Sequence, residues 1–421
     1  MNIHGTVAPG FESVKALYAE NMRTLAERNT QLCVYVGEQQ VVDLWASAID
    51  DPAFTPDSLV NVFSSGKSLE AIAMAMLVDR GHLSFAARVV DYWPEFAAHG
   101  KDALTVADLM RHEAGLAAFD ATLQPTDMHP ENLRANAVGR VIEEQTQKFR
   151  DGADAQREYH AITRGWIANE VFRRAEPDGR TMGQFMLEEV SAKLDVDVFI
   201  GLKEAQLARI SPVVMLGIGY QFLQGLVPRR LGRKMELNLA QTLAKVWRLS
   251  AGLKGGTTRG APSPMQGMKR LSAFDKDEVC MGEMPSAGSK CTARGLAKLA
   301  AVMANGGGLG DQRLLGEAAW QQLHGDPVPR KMMAMQTTFT QGGLATFPHP
   351  QPDDGEFDQG LNRGREDYFG WMGLGGSIFQ WQPQRKIGFA YVPTSLNVLD
   401  IVNERGKAYQ AEVVRCVDQL G

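Results

Sequence analysis

The chain has 421 residues, 44% hydrophobic and 22% charged, with a net charge of −5 and a pI near 6.0. That length can bury a large core and suggests two to three lobes. The mild acidity excludes the basic footprint that nucleic-acid binding requires.

The first ten residues have neither a basic n-region nor an apolar h-region, so no secretory signal is expected there. Cys33, Cys280, Cys291 and Cys416 are scattered, without C-x-x-C or clustered histidines. Neither a zinc site nor a disulfide framework is indicated, and a reduced, cytoplasmic protein without metal or organic cofactor is the expectation.

Residues 11–29 carry an apolar stripe at helical spacing (Phe11, Val14, Leu17, Tyr18, Met22, Leu25). Two apolar runs, 32–36 and 41–45, flank Gly37-Glu38-Gln39-Gln40 and predict a β-hairpin. An extended run (Leu59, Val60, Val62, Phe63) then meets Ser64-Ser65-Gly66-Lys67-Ser68, which opens a helix from Glu70 to Arg80 closed by Gly81. Thr105 reads as the N-cap of a helix through His112, and Thr181 as the cap of one from Met182 to Leu194. Between them, 120–156 reads as loops and short helices, and Tyr159–Arg174 as a helix.

Residues 196–275 are the least patterned. Ile210–Val227 is mostly apolar but broken by Pro212, Gly217, Gly219, Gln221 and Gln224, and the basic stretch 228–234 follows. A spanning helix is not expected. The segment reads first as a lid or pocket wall, with membrane-surface contact through 210–234 as the alternative. Helical period returns from Thr292 and ends at Gly306. Strands are expected over 373–381 and 387–392, and a last helix over 401–417. Strands near both ends with helices between predict an α+β fold, an antiparallel sheet flanked by helices with an inserted, mainly helical lobe. As a single catalytic domain over 1–421, its sheet lobe would be 1–80 plus 285–421. Its helical lobe would be 81–284, including the insert 200–275.

Ser64 and Lys67 form the single S-x-x-K of the chain. Three residues apart at a helix start, they share one face. A lysine in a dry site loses its proton readily and can take that of a neighbouring serine. The alternative is a serine N-cap followed by a solvated lysine. His112 and His160 are read as structural rather than catalytic, and Met332, Met333 and Met335 as core filling before pocket lining. Glu283 and Arg294 are left as a possible pair.

Several blocks together resemble the serine β-lactamase-like superfamily, the class C β-lactamases and penicillin-binding proteins. They are closest to its esterase branch (family VIII) and to the LACTB-like beta-lactamase-domain proteins. The blocks are Val62–Ser68, Val90–Phe96, Leu109–Leu116, Tyr159–Trp166, Pro285-Ser286-Ala287 with Thr292-Ala293-Arg294, and Phe369–Ser377. The resemblance implies Ser64 as nucleophile, Lys67 as its base and Tyr159 as proton shuttle. It implies an oxyanion hole from the backbone N–H groups of Ser64 and Leu374, and substrate contacts from Trp371, Met372 and Gly373. Lys67 and Tyr159 would titrate as a coupled pair, the phenol pKa being lowered by the ammonium. Trp371-Met372-Gly373 stands where β-lactamases carry Lys-Thr-Gly, which grips a carboxylate, so uncharged esters are the expected substrates. The resemblance implies a serine esterase working through an acyl-enzyme on a small-molecule ester or amide. The alternatives are a peptidase, amidase or weak β-lactamase, an acyltransferase, and last a binding scaffold without turnover.

Overall fold

The computed structural model describes residues 2–152, 156–252, 254–268 and 270–420. Five strands build the main sheet: β1 (Ile3–Val7), β2 (Asn29–Val36), β3 (Gln39–Ser47), β4 (Ile378–Gln382) and β5 (Ile387–Pro393). Their order is β1-β3-β2-β5-β4, antiparallel throughout. The helices with a bearing on the site and its surroundings are α1 (Glu12–Thr24), α2 (Lys67–Asp79), α3 (Thr163–Ala175), α4 (Ile218–Leu226), α5 (Leu239–Gly252), α6 (Ala293–Ala304) and α7 (Glu404–Leu420).

The two-residue period of the central strands divides the core. Leu32, Val34, Phe389 and Tyr391 pack with Val14, Tyr18, Tyr409 and Val413 of α1 and α7. Cys33, Ala390 and Val392 pack with Leu296, Ala297 and Ala300 of α6. Gly388 lets α6 lie close: a Cβ there would stand 2.4 Å from the Ala301 nitrogen. All four cysteines are buried free thiols.

Helix α2 is buried without interruption from Lys67 to Leu77. Beyond Glu70 it is apolar all round, because neighbours cover it on every side. Its lead-in strand, Val60–Asn61, pairs with Lys290–Cys291, which also pairs with Val198–Phe199. One short sheet therefore joins the nucleophile segment to residues far away in the chain. Thr105, Thr181 and Thr292 accept from backbone N–H groups at their helix starts, as their positions predict.

Several elements differ from the sequence reading. Strand β1 was not anticipated. It is a half-exposed edge strand with no apolar alternation. The hairpin Val328–Met332/Met335–Phe339 was also missed. Met332 and Met335 are core, and Met333 sits in its turn at φ +57°. Tyr159 precedes helix α3, which begins only at Thr163. The strand expected from Gly373 starts at Ile378, because a tight turn, with Gly375 at φ +80° and Gly376 at φ +137°, occupies the intervening residues. Ile210–Val227 divides into a short strand, Val214–Met215, and α4. Arg294 pairs not with Glu283 but with Asp43 (2.9 Å) and Asp57 (3.4 Å), tying α6 to β3.

Candidate active site

Ser64 lies in a single 3-10 turn, Phe63–Gly66, between the Val60–Asn61 strand and α2. Phe63 holds φ +47°, a left-handed conformation that costs a side-chain-bearing residue about 1–3 kcal/mol. Neighbouring bonds hold it there. Val62 N–H donates to Ser289 O (3.0 Å), Ser65 N–H donates to Val62 O (3.2 Å), and the Phe63 ring meets Phe274 edge-on. The chain reversal leaves Ser64 partly exposed at the head of a buried helix. Gly66 is needed where the turn presses on Pro285 O, 2.4 Å from where a Cβ would sit.

Lys67 Nζ stands 3.4 Å from Ser64 Oγ and donates to Ala161 O (2.7 Å) and Ser286 O (3.1 Å). A neutral amine has two N–H bonds and one lone pair. The two carbonyls take the two N–H bonds, and the lone pair is left for the serine hydroxyl. Burial holds the Lys67 pKa well below the usual lysine value. Its nearest charges, Glu70 and Arg164, form a fully buried ion pair of 3.0 Å and act on it in opposite directions. Ser286 donates to Glu70, and Arg164 donates to Lys67 O (2.9 Å), so this pair also fixes both sides of the lysine's cradle. The solvated-lysine alternative fails, since Lys67 is buried, and Ser64 makes no capping bond.

The Tyr159 ring lies 4.9 Å from Lys67 Nζ, and its hydroxyl receives the indole N–H of Trp371 (3.0 Å). Its pKa is raised by burial. The expected lowering by an adjacent ammonium does not occur, because Lys67 is itself in a dry site that disfavours its charge. Tyr159 is thus a protonated phenol at neutral pH.

His112 and His160 act as struts. His112 Nδ1 accepts from His160 N–H (3.1 Å), and His160 Nε2 accepts from Leu116 N–H (3.0 Å). Burial pushes the His112 pKa well down and that of His160 to about 4.

The segment Trp371–Ser377 is stitched to the nucleophile turn. Trp371 N–H donates to Ser68 Oγ (3.0 Å), Ser65 and Ser377 hydroxyls are 3.0 Å apart, and Ser377 donates to Val62 O (2.6 Å). At Gly373 a Cβ would lie 2.3 Å from Val62 O, so only glycine allows the two backbones to touch. Leu374 follows in the exposed turn. Trp371 packs against Tyr159 and Phe339, giving an apolar flank. Met372 does not join that flank. Consecutive residues of an extended segment face opposite ways, and its sulfur is turned onto the buried Arg365 (3.0 Å).

Glu70, Arg164 and Phe339 were not assigned roles from the sequence. Glu70 follows Lys67 by three positions on one helix face, a signal that was available. Phe339 lies in a hairpin with no local pattern. Among the described residues, no group of three or more His, Cys, Asp or Glu is placed to hold a metal ion.

The family model of beta-lactamase matches residues 14–411. The chain belongs to the beta-lactamase family. It is 30% identical over 407 residues to the esterase/beta-lactamase LipL of Mycobacterium tuberculosis, covering 94% of this chain and 83% of LipL. Among solved structures, a penicillin-binding protein homologue from Caulobacter crescentus superimposes with a TM-score of 0.74 at 25% identity, covering 99% of this chain and all of that one. A family VIII carboxylesterase matches with a TM-score of 0.73 at 24% identity over 99% and 100% of the two chains. The likeness confirms the expected α+β architecture of this beta-lactamase-family chain.

Proposed function

We propose that this beta-lactamase-family protein is a serine hydrolase that cleaves small or medium acyl esters through an acyl-Ser64 intermediate. The observation that carries the reading is the cradle of Lys67, whose two N–H bonds are spent on Ala161 O and Ser286 O while Ser64 Oγ lies 3.4 Å away. The esterase descriptions of LipL and the family VIII carboxylesterase agree with it.

In acylation Ser64 Oγ bonds to the ester carbonyl carbon and its proton passes to Lys67 Nζ. The carbonyl oxygen takes the electron pair and is met by the N–H groups of Ser64 and Leu374. Collapse breaks the carbon–oxygen bond of the leaving alcohol, which receives the Tyr159 proton; Lys67 returns a proton to the phenol. Water then attacks the acyl carbon, gives up its proton through the same pair, and releases the acid and free Ser64. Trp371 offers an apolar flank where a carboxylate would need a cation, which disfavours penicillins.

Intact-mass detection of an acyl adduct across an ester panel tests this, with Ser64→Ala as control. The adduct is expected on the parent chain and absent from the variant. A nitrophenyl ester should be turned over far faster than a chromogenic cephalosporin. No adduct from any ester in folded protein would end the hydrolase reading, and faster cephalosporin turnover would replace the ester by a β-lactam.

A further inference from the structure

Helices α4 and α5 are built inside out. A helix on a water-facing surface turns polar residues outward. On α4 the exposed positions are Ile218, Tyr220, Leu223 (66%) and Leu226 (64%), and the buried ones are Gln221 and Gly225. Gln221 donates inward to Leu216 O (2.8 Å), and Gly225 lets the start of α5 cross close by, with Leu239 N 3.0 Å from where a Cβ would be. On α5 Ala240, Leu243, Ala244 and Trp247 (70%) are exposed, with Gln241 and Ser250 the polar side chains among them. Its cations turn the other way, Arg248 onto Glu356 (2.6 Å) and Lys245 toward Glu404 (4.0 Å).

The turn between the helices adds Leu231 (71%) beside the exposed Arg229 and Arg230. Between Val214 and Gly252 there are six Lys or Arg and one acid, Glu236, in a chain whose net charge is −5. The patch is also tied to the site through the backbone. Val214 N–H donates to Thr394 O and Leu216 N–H to Leu396 O. Leu396 lies under Gly375, one residue from Leu374, 2.6 Å from where a Gly375 Cβ would be. Val214 and Met215, which precede α4, are themselves exposed.

We infer that α4, α5 and the turn joining them form a docking surface for an anionic lipid bilayer, on which the protein lies with Leu223, Leu226, Leu231 and Trp247 immersed. An aliphatic face with an indole among it suits the acyl boundary, and arginines at its edge suit anionic headgroups. The charge argues for lipid over a second copy of this chain, since two copies would bring the same arginine pair together at the contact. None of the described helices is long and apolar enough to cross a membrane, so the surface lies on the bilayer.

The test is co-sedimentation of the full chain with phosphatidylglycerol/phosphatidylcholine vesicles and with phosphatidylcholine alone, followed also by Trp247 emission. Binding to the anionic vesicles is expected to exceed that to the neutral ones roughly tenfold and to weaken as salt rises. The triple variant Leu223→Ser/Leu226→Ser/Trp247→Ser should stay in the supernatant while hydrolysing a water-soluble ester like the parent. Arg229→Glu/Arg230→Glu should lose the preference for anionic lipid, and Trp247→Phe should still sediment without the blue shift. The Ser64→Ala protein should bind as the parent does, which separates docking from turnover. Sedimentation that survives the triple substitution would overturn the assignment. So would a parent chain that ignores vesicles and forms a dimer which the triple variant dissolves.

Discussion

At Lys67 the decisive chemistry is the loss of a proton, not the presence of a charge. With its pKa held well below 10.5 by burial, the amine is the free base over a range in which an exposed lysine is an ammonium. The acid limb of the kcat/KM profile should therefore fall well below ordinary lysine pH, and activity should rise with pH through it. Lys67→Arg keeps a cation that does not deprotonate, and should be as inactive as Lys67→Ala. Tyr159→Phe removes the proton carrier and should lower kcat by about 10²–10⁴-fold. Trp371→Phe keeps the apolar flank but withdraws the indole N–H from the phenol. A lost hydrogen bond of about 1 kcal/mol predicts a several-fold fall in kcat with KM little changed. Steady-state kinetics on a nitrophenyl ester reads all four. The positions of Ser64 and Lys67 were legible from spacing alone, whereas Tyr159 was legible only through a family likeness. The Glu70–Arg164 pair joins residues 94 positions apart, and no local pattern marks such a pair. The direction of the Tyr159 shift was misjudged because burial acts on base and phenol together, and sequence spacing does not report burial.

At the scale of elements, the site depends on backbone being allowed to touch backbone. Gly373→Ala would force a methyl into Val62 O, 2.3 Å away, and into the Ser377 hydroxyl. It should separate the Trp371–Ser377 segment from the nucleophile turn, cost about 1–3 kcal/mol in denaturant unfolding, and abolish most turnover. Gly388→Ala meets Ala301 at 2.4 Å and should destabilise comparably, but through the contact of α6 with the sheet. Its residual activity per folded molecule should be near that of the parent, measured after correcting for the folded fraction. Elements whose period is set by the core were legible, among them the β2–β3 hairpin, α2 and α6. Strand β1 and the hairpin 328–339 were not, since edge strands and mixed polar turns carry little periodic signal. The inside-out polarity of α4 and α5 had a trace in the sequence, an apolar run with a basic flank. Which way its side chains face is a tertiary fact.

Across the whole molecule, Glu283 links the helical elements by accepting from Asn169 (2.8 Å), Gly183 N–H (2.9 Å) and Thr181. Burial nevertheless raises its pKa to about 7. In the unfolded chain it would ionise near the ordinary glutamate value, so between about pH 4.5 and 7 the folded form holds a proton that the unfolded form has lost. Its contribution to stability is therefore full below pH 4.5, declines as pH rises, and is flat again above 7. The decline is about 3 kcal/mol at most from a shift of this size. Glu283→Gln should remove it: the variant's unfolding free energy minus the parent's should grow from pH 5 to 7 in urea titrations. A constant difference would mean that the carboxyl is ionised throughout. The α+β plan was legible from the distribution of strand and helix signals along the chain. That Glu283 belongs to Asn169 and Thr181, and Arg294 to Asp43, was not, because no local pattern marks partners so far apart in the chain.

Strand β5 completes the main sheet by pairing with β2, and Val36 and Ile387, partners in that register, are about 350 residues apart in the chain. A ribosome adding roughly 5–20 residues per second takes about 20–70 s to cover that interval. Throughout it the hairpin β2–β3 would have one apolar edge without its neighbour, a template for joining the same hairpin on another nascent chain. The catalytic turn would meanwhile lack the Trp371–Ser377 segment that braces it. Newborn chains should thus be inert, and prone to aggregate, until the closing strand arrives, and holding them apart for that minute is a demand the architecture places on the cell that makes it.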